Sequence, residues 1–151
     1  MRIAIASDHA GFRLKEELKL LIRELGHEVR DFGTNSEGPV DYPDFITTAA
    51  EAVAGGDADR AVVLGGSGNG EAMVANKVPG VRCALCHDTT TARLARAHND
   101  ANAVALGQRI TGPEVAKDIV RVFLETPFEG GRHQRRVDKM MDLERRRRDK
   151  G

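Results

Sequence analysis

The stretch AVVLGGSGNGEAMVANK, Ala61–Lys77, decides the fold. Its apolar opening, Ala61–Leu64, reads as a buried strand, and its middle, Gly65–Gly70, holds four glycines, one serine and one asparagine. Its close, Glu71–Lys77, reads as a short helix that Pro79 and Gly80 break. A strand that runs through a glycine loop directly into a helix is the repeating joint of a parallel α/β sheet.

The same alternation extends in both directions. Toward the N-terminus, Ile3–Ala6 is a short buried strand, and Leu14, Leu18, Leu21, Ile22 and Leu25 form one face of a helix that Gly26 closes. His27–Phe32 is a second strand, Asn35–Tyr42 a loop, and Pro43 opens a helix with Ile46, Ala49, Ala50 and Val53 on one face. Toward the C-terminus come a strand at Val81–Cys86, a helix at Thr89–Asn99 and a strand at Ala103–Leu106. Thr111–Glu114 has the form of a capping box with proline at the first helical position, and the helix it starts is expected to bury Val115, Ile119, Val122 and Phe123. A last helix, from Arg132 to about residue 149, carries Val137, Met140 and Met141 as its apolar stripe. This pattern predicts a parallel sheet covered by helices on both faces. Ligands in such sheets sit beyond the carboxyl ends of the strands. That rule alone nominates Ser7–His9, Gly65–Glu71, His87–Asp88 and Gly107–Arg109.

The 151 residues suffice for one domain with a real core, residues 1–151. Equal numbers of basic and acidic residues, 23 each, give no argument for nucleic acid or a membrane surface as partner. The basic run Arg145–Arg148 reads as a solvated helix end. No apolar stretch approaches the ~18 residues of a membrane span. The N-terminus meets charge by Asp8, without the apolar region of a signal peptide, so the cytoplasm is the expected compartment. Cys83 and Cys86 form a C-x-x-C, but within a strand positions three apart face opposite sides. Two buried, reduced cysteines are expected, and no metal-ligand cluster has a workable spacing in the sequence.

What the loop does follows from what it lacks. Gly65 and Gly70 have P-loop spacing, but Glu71 and Ala72 stand where lysine and serine or threonine belong. A dinucleotide fingerprint starting at Gly66 and Gly68 meets Glu71 in place of its third glycine, although Asp88 lies near the distance suited to a ribose. A nucleophile elbow around Ser67 lacks its final glycine. A nest of backbone N–H groups that stabilises an anion remains. Glu71 beside it can remove a proton next to a carbonyl while the nest holds the enolate. Arg132 and Arg136 are four apart, share a helix face and can grip one phosphate.

The segments SDHAGF (7–12), DYPD (41–44), GGSGNGE (65–71), ANK (75–77), HND (98–100) and GGRHQRR (130–136) occur in this order. Together they resemble the ribose/galactose isomerase family, in particular its type B ribose-5-phosphate isomerases, from Ile3 to about Glu144. The resemblance implies a three-layer α/β/α sandwich with a five-stranded parallel, Rossmann-like sheet. It also implies interconversion of ribose 5-phosphate and ribulose 5-phosphate, with no metal or organic cofactor. Relatives act on allose 6-phosphate or galactose 6-phosphate, so a six-carbon phosphosugar is an alternative substrate; a non-catalytic nucleotide-binding module and a serine hydrolase on Ser67 are rival readings. A homodimer or homotetramer with its sites at the subunit interface is implied, the last helix packing on a partner subunit. Residue by residue, Asp8 and His9 match sugar contacts, His98 the ring-opening acid–base residue, and Asn99 and Arg109 substrate contacts. Gly66, Ser67, Gly68, Asn69 and Gly70 match the anion hole, and Arg132 and Arg136 the phosphate clamp. Many members place a cysteine base where this chain has Gly65; others carry a glutamate after the loop, which assigns the base to Glu71. His27 and His87 read as structural, His133 as an interface or surface residue, and Tyr42 as a neighbour of the site.

Overall fold

The computed structural model describes residues 1–151. Five strands, β1 (Arg2–Ser7), β2 (Glu28–Asp31), β3 (Arg60–Gly65), β4 (Cys83–Leu85) and β5 (Ala103–Gly107), form one parallel sheet in the order β2-β1-β3-β5-β4. Six helices connect and follow them: α1 (Phe12–Glu24), α2 (Tyr42–Ala54), α3 (Asn69–Ala75), α4 (Thr89–Asn99), α5 (Pro113–Glu125) and α6 (Arg132–Arg148).

Strand alternation divides the core by side-chain size. Ile3, Ile5, Val62, Leu64, Val104 and Leu106 point to the face covered by α1, α4 and α5, where Leu18, Ile22, Ile119 and Phe123 meet them. Ala4, Ala6, Ala61, Val63, Ala103 and Ala105 point to the other face, where Ile46, Ala49 and Ala50 of α2 and Ala72 and Ala75 of α3 pack. The expected three layers are therefore present, one of them thinned by alanine so that α2 and α3 lie close to the sheet. Cys86 joins the first face and Cys83 the second, as the alternation requires. Cys86 is buried, but Cys83 on the edge strand β4 is only half-buried, which corrects the expectation of two buried thiols. Desolvation still pushes the Cys83 thiol up to about 12, so it stays protonated and inert.

Three other expectations need correction. Gly112, not Thr111, caps α5; the Thr111 hydroxyl turns back and donates to the Gly107 carbonyl at 3.3 Å. Val115 is 45% exposed and Val122 half-buried, because α5 presents Ala116, Ile119, Val120, Phe123 and Leu124 to the sheet, a face rotated by one position. The α6 stripe is split: Val137 is buried within its own subunit and Met141 half-buried, while Met140 is exposed along with Leu143. No helix is long and apolar enough to cross a membrane.

Candidate active site

The parallel sheet places the ends of β1, β3 and β5 side by side, with Ser7 opposite Leu64 and Gly65 opposite Gly107. The glycine loop leaves β3 at this edge and is tied to the chain after β5 by Gln108 and Arg109, whose N–H groups donate to Gly65 and Gly66 at 2.8 and 2.9 Å. Close packing explains its composition. A Cβ at Gly107 would stand 2.5 Å from the Ser67 backbone, and Gly68 has φ +85° with Leu106 backbone 2.9 Å from where its Cβ would be. The Tyr42 ring lies against Gly70, so Tyr42 borders the loop, and the Arg109 guanidinium lies over Gly66.

Glu71, in the first turn of α3, folds back under the loop and is 3% exposed. Its carboxylate fills the volume that any side chain at position 65 would occupy. Burial raises its pKa, its own backbone N–H works against that, and the negative charge of Asp8 adds to the rise. The net shift is upward, so the carboxylate holds a proton more tightly than an ordinary glutamate. Above it, the backbone N–H groups of Gly66, Ser67, Gly68 and Gly70 donate to no acceptor in the chain, whereas that of Asn69 is taken by the Ser67 hydroxyl at 3.1 Å. The loop thus offers several unpaired donors close to a buried carboxylate.

Asp8 is buried at the end of β1, one carboxylate oxygen accepting from the N–H groups of Ala10 and Gly11 at 2.9 and 3.1 Å. The next residue, His9, accepts from the Val40 N–H at Nδ1, 3.1 Å away, which leaves Nε2 as the protonated nitrogen of the neutral ring. His9, Arg109 and Gln108 line an open cleft of about 280 Å³ with Arg13 and Glu37. A larger cleft, about 510 Å³, lies elsewhere, between α6 and the β4 edge.

The chain does not bring all the expected residues together. His98 and Asn99 end α4, just ahead of β5, and so sit at the amino end of the sheet. The Asn99 and Asp100 carbonyls are held there by the Arg82 guanidinium at 3.2 and 2.7 Å. Arg132 and Arg136, both exposed, open α6 at the same end. A strand of five residues, roughly 15 Å of chain, separates this group from the loop. Sequence reasoning missed two residues here. His133, expected at a surface, is 5% exposed and stacks on His98, ring centroids 4.1 Å apart; Glu129 reaches both rings. The His133 pKa is lowered by burial first, then by the proximity of His98 and Arg132. Only the tertiary fold joins positions 98 and 133, so the sequence carried no local signal for the pair.

The rival readings lose their residues. Asp88 is the N-cap of α4 and accepts from the Thr91 N–H at 2.7 Å, which holds its pKa down and gives it a structural role. Ser67 accepts from Asn69 and has no imidazole in hydrogen-bond contact.

The Ribose/Galactose Isomerase family profile matches residues 3–140. The chain belongs to that family. It is 44% identical over 146 residues to ribose-5-phosphate isomerase B of Escherichia coli, covering 97% of this chain and 98% of that protein. Among family structures, ribose-5-phosphate isomerase B of Clostridium thermocellum superposes with a TM-score of 0.95 at 48% identity, covering 97% of this chain and 99% of the other. The enzyme of Mycoplasma genitalium, solved with bound ribulose-5-phosphate, superposes with a TM-score of 0.91 at 41% identity, covering 95% and 96%.

Glu71 binds its proton more tightly in the folded than in the unfolded chain. Between the ordinary carboxylate value and the raised one, the native state carries more protons than the unfolded state. Stability contributed by Glu71 therefore falls as pH rises through that window, and the deficit persists above it. Glu71→Gln is expected to melt higher than the parent protein near neutral pH, and the gain should vanish below about pH 4, the unperturbed carboxylate range. Thermal melts of both proteins across that range check it; a gain that does not change with pH would return Glu71 to an ordinary pKa.

Proposed function

We propose that this chain is an aldose–ketose isomerase that interconverts ribose 5-phosphate and ribulose 5-phosphate through a cis-enediolate. The observation that carries the reading is the buried carboxylate of Glu71 packed beneath a loop whose N–H groups have no partner in the chain. Glu71 removes the proton at C2 and returns it at C1. The N–H groups of Gly66, Ser67, Gly68 and Gly70, with Asn69, hold the oxygen on which charge develops, where preorganised donors act most strongly. Asp8, His9 and Arg109 hold the sugar. Neither a metal ion nor an organic cofactor enters a step.

His98 opens the furanose ring, Asn99 contacts the sugar, and Arg132 and Arg136 bind the phosphate. They act on the loop of another copy of the chain, in a homodimer or homotetramer, a reading supported by their position at the far end of the sheet. Exposed apolar side chains at both ends support this: Tyr42, Met73 and Ile110 around the loop, Met140 and Leu143 on α6. In a two-fold assembly each copy meets the other through the same pair of surfaces, so each loop receives one such group.

A panel of aldose phosphates assayed with the purified protein tests the reading. Ribose 5-phosphate is expected to turn over with the highest kcat/KM, and ribose without phosphate far more slowly. Preference for allose or galactose 6-phosphate would keep the chemistry and change the sugar; no conversion of any member would overturn the assignment.

A further inference from the structure

Glu129 and His133 have no part in the reaction proposed above, yet they converge on His98. His98, Glu129 and His133 each offer one ligand atom, a ring nitrogen or a carboxylate oxygen, and the three atoms lie within 4.8 Å of one another. The imidazole of His133 is packed under α4 and α6, and its Nε2 is sealed from solvent without a hydrogen bond; Glu129 stands 3.5 Å from it. Buried ring nitrogens are rarely left without a partner, because the lost solvation is not recovered. The His98 Nε2 lies 3.9 Å from the same Glu129 oxygen.

We propose that His98, Glu129 and His133 form a binding site for a divalent transition-metal ion of the zinc class, with the fourth position open to water. In tetrahedral zinc sites, Zn–N and Zn–O distances of about 2.0–2.2 Å put the ligand atoms roughly 3.3 Å apart. The gaps of 3.5 and 3.9 Å need to close by only a few tenths of an ångström. The rings are within 10° of parallel, so their lone pairs run side by side and one ring must turn for both to point at an ion. His98 has that freedom, since its side chain is 37% exposed at the end of α4. Glu129, 56% exposed beside Gly130 and Gly131, can follow it. Two imidazoles and one carboxylate favour zinc over magnesium or calcium, which prefer all-oxygen sets. The positive charges of Arg132 and Arg136 act on His133 and oppose a dication, so the affinity stays below that of an acidic cage.

A consequence rests on the isomerase reading: an ion held by His98 Nε2 removes that nitrogen from ring opening, so zinc inhibits turnover. Isothermal titration of the metal-stripped protein with zinc chloride tests binding without reference to activity. One ion per chain is expected, with no heat from magnesium chloride. Glu129→Gln and His98→Gln should each weaken zinc by at least about tenfold, the lower end of what losing even an outer-shell partner costs a metal site. These two side chains are exposed enough to change without unfolding the protein, which buried His133 is not. No stoichiometric zinc binding, or binding unmoved by both substitutions, would overturn the site. Zinc that binds as expected and leaves turnover intact would keep the site and remove His98 from the reaction.

Discussion

Glu71→Gln is expected to lower kcat by about 10²–10⁴-fold, the usual contribution of a positioned general base. The substitution keeps the shape of the side chain, its burial beneath the loop and an oxygen for the neighbouring N–H, and removes only the proton acceptor. Binding of a phosphosugar analogue should survive, because the loop donors and the cationic groups are untouched. Exchange of the substrate C2 hydrogen with solvent deuterium separates proton abstraction from ring opening. The variant should lose exchange in step with turnover. Near-parental exchange would place the base elsewhere and end the proposed role of the loop. Blocking the cysteines should leave the chemistry unaffected, since neither is a residue of the loop and burial keeps the Cys83 thiol protonated.

The second large effect is a rescue. If Glu71 of one copy and His98 of another serve the same sugar, Glu71→Gln and His98→Asn homodimers are each broken at both sites. A mixed dimer carries both lesions in one site and none in the other. Random exchange at equal concentrations makes half the dimers mixed, so activity should return to roughly a quarter of the parental level in a two-fold assembly. Against parents each depressed by about 10²-fold or more, that recovery is unmistakable. Differently tagged subunits, dissociated, mixed and reassociated, give the measurement. Verified mixed dimers without recovered activity would show that the two residues do not meet across copies.

The alternation of strands and helices was legible because β1, β3 and β5 are short, largely apolar runs ended by glycine or an acidic residue. The loop was legible because few other purposes demand four glycines beside a carboxylate. Signals that depend on how elements sit against each other were not. The apolar residues of α5 permit two faces one position apart, and only contact with the sheet chose the one that exposes Val115. Thr111 has the residue type of a cap, but β5 ends within reach of its hydroxyl and takes it. Val137 read as part of a partner-facing stripe, but the fold of a single chain buries it. The pairing of His98 with His133 is of the same kind, joining two helix ends 35 residues apart. The balance of effects on Glu71 also needed the fold, because the burial that raises its pKa comes from the strand ends and loop around it.

The carboxylate of Glu71 and any side chain at position 65 claim one volume. The two positions are therefore not free to vary separately. Adding a side chain at 65 evicts the glutamate, and losing the glutamate leaves a hole that glycine cannot fill. A lineage that moved the reactive group from one end of the loop to the other would have to change both positions, and either single change passes through an impaired protein. Such a pair is a small fitness barrier written in steric terms, with strongly non-additive substitutions at its two ends. Under the proposed role of Glu71, residue 65 would thereby report which end of the loop carries the reactive group.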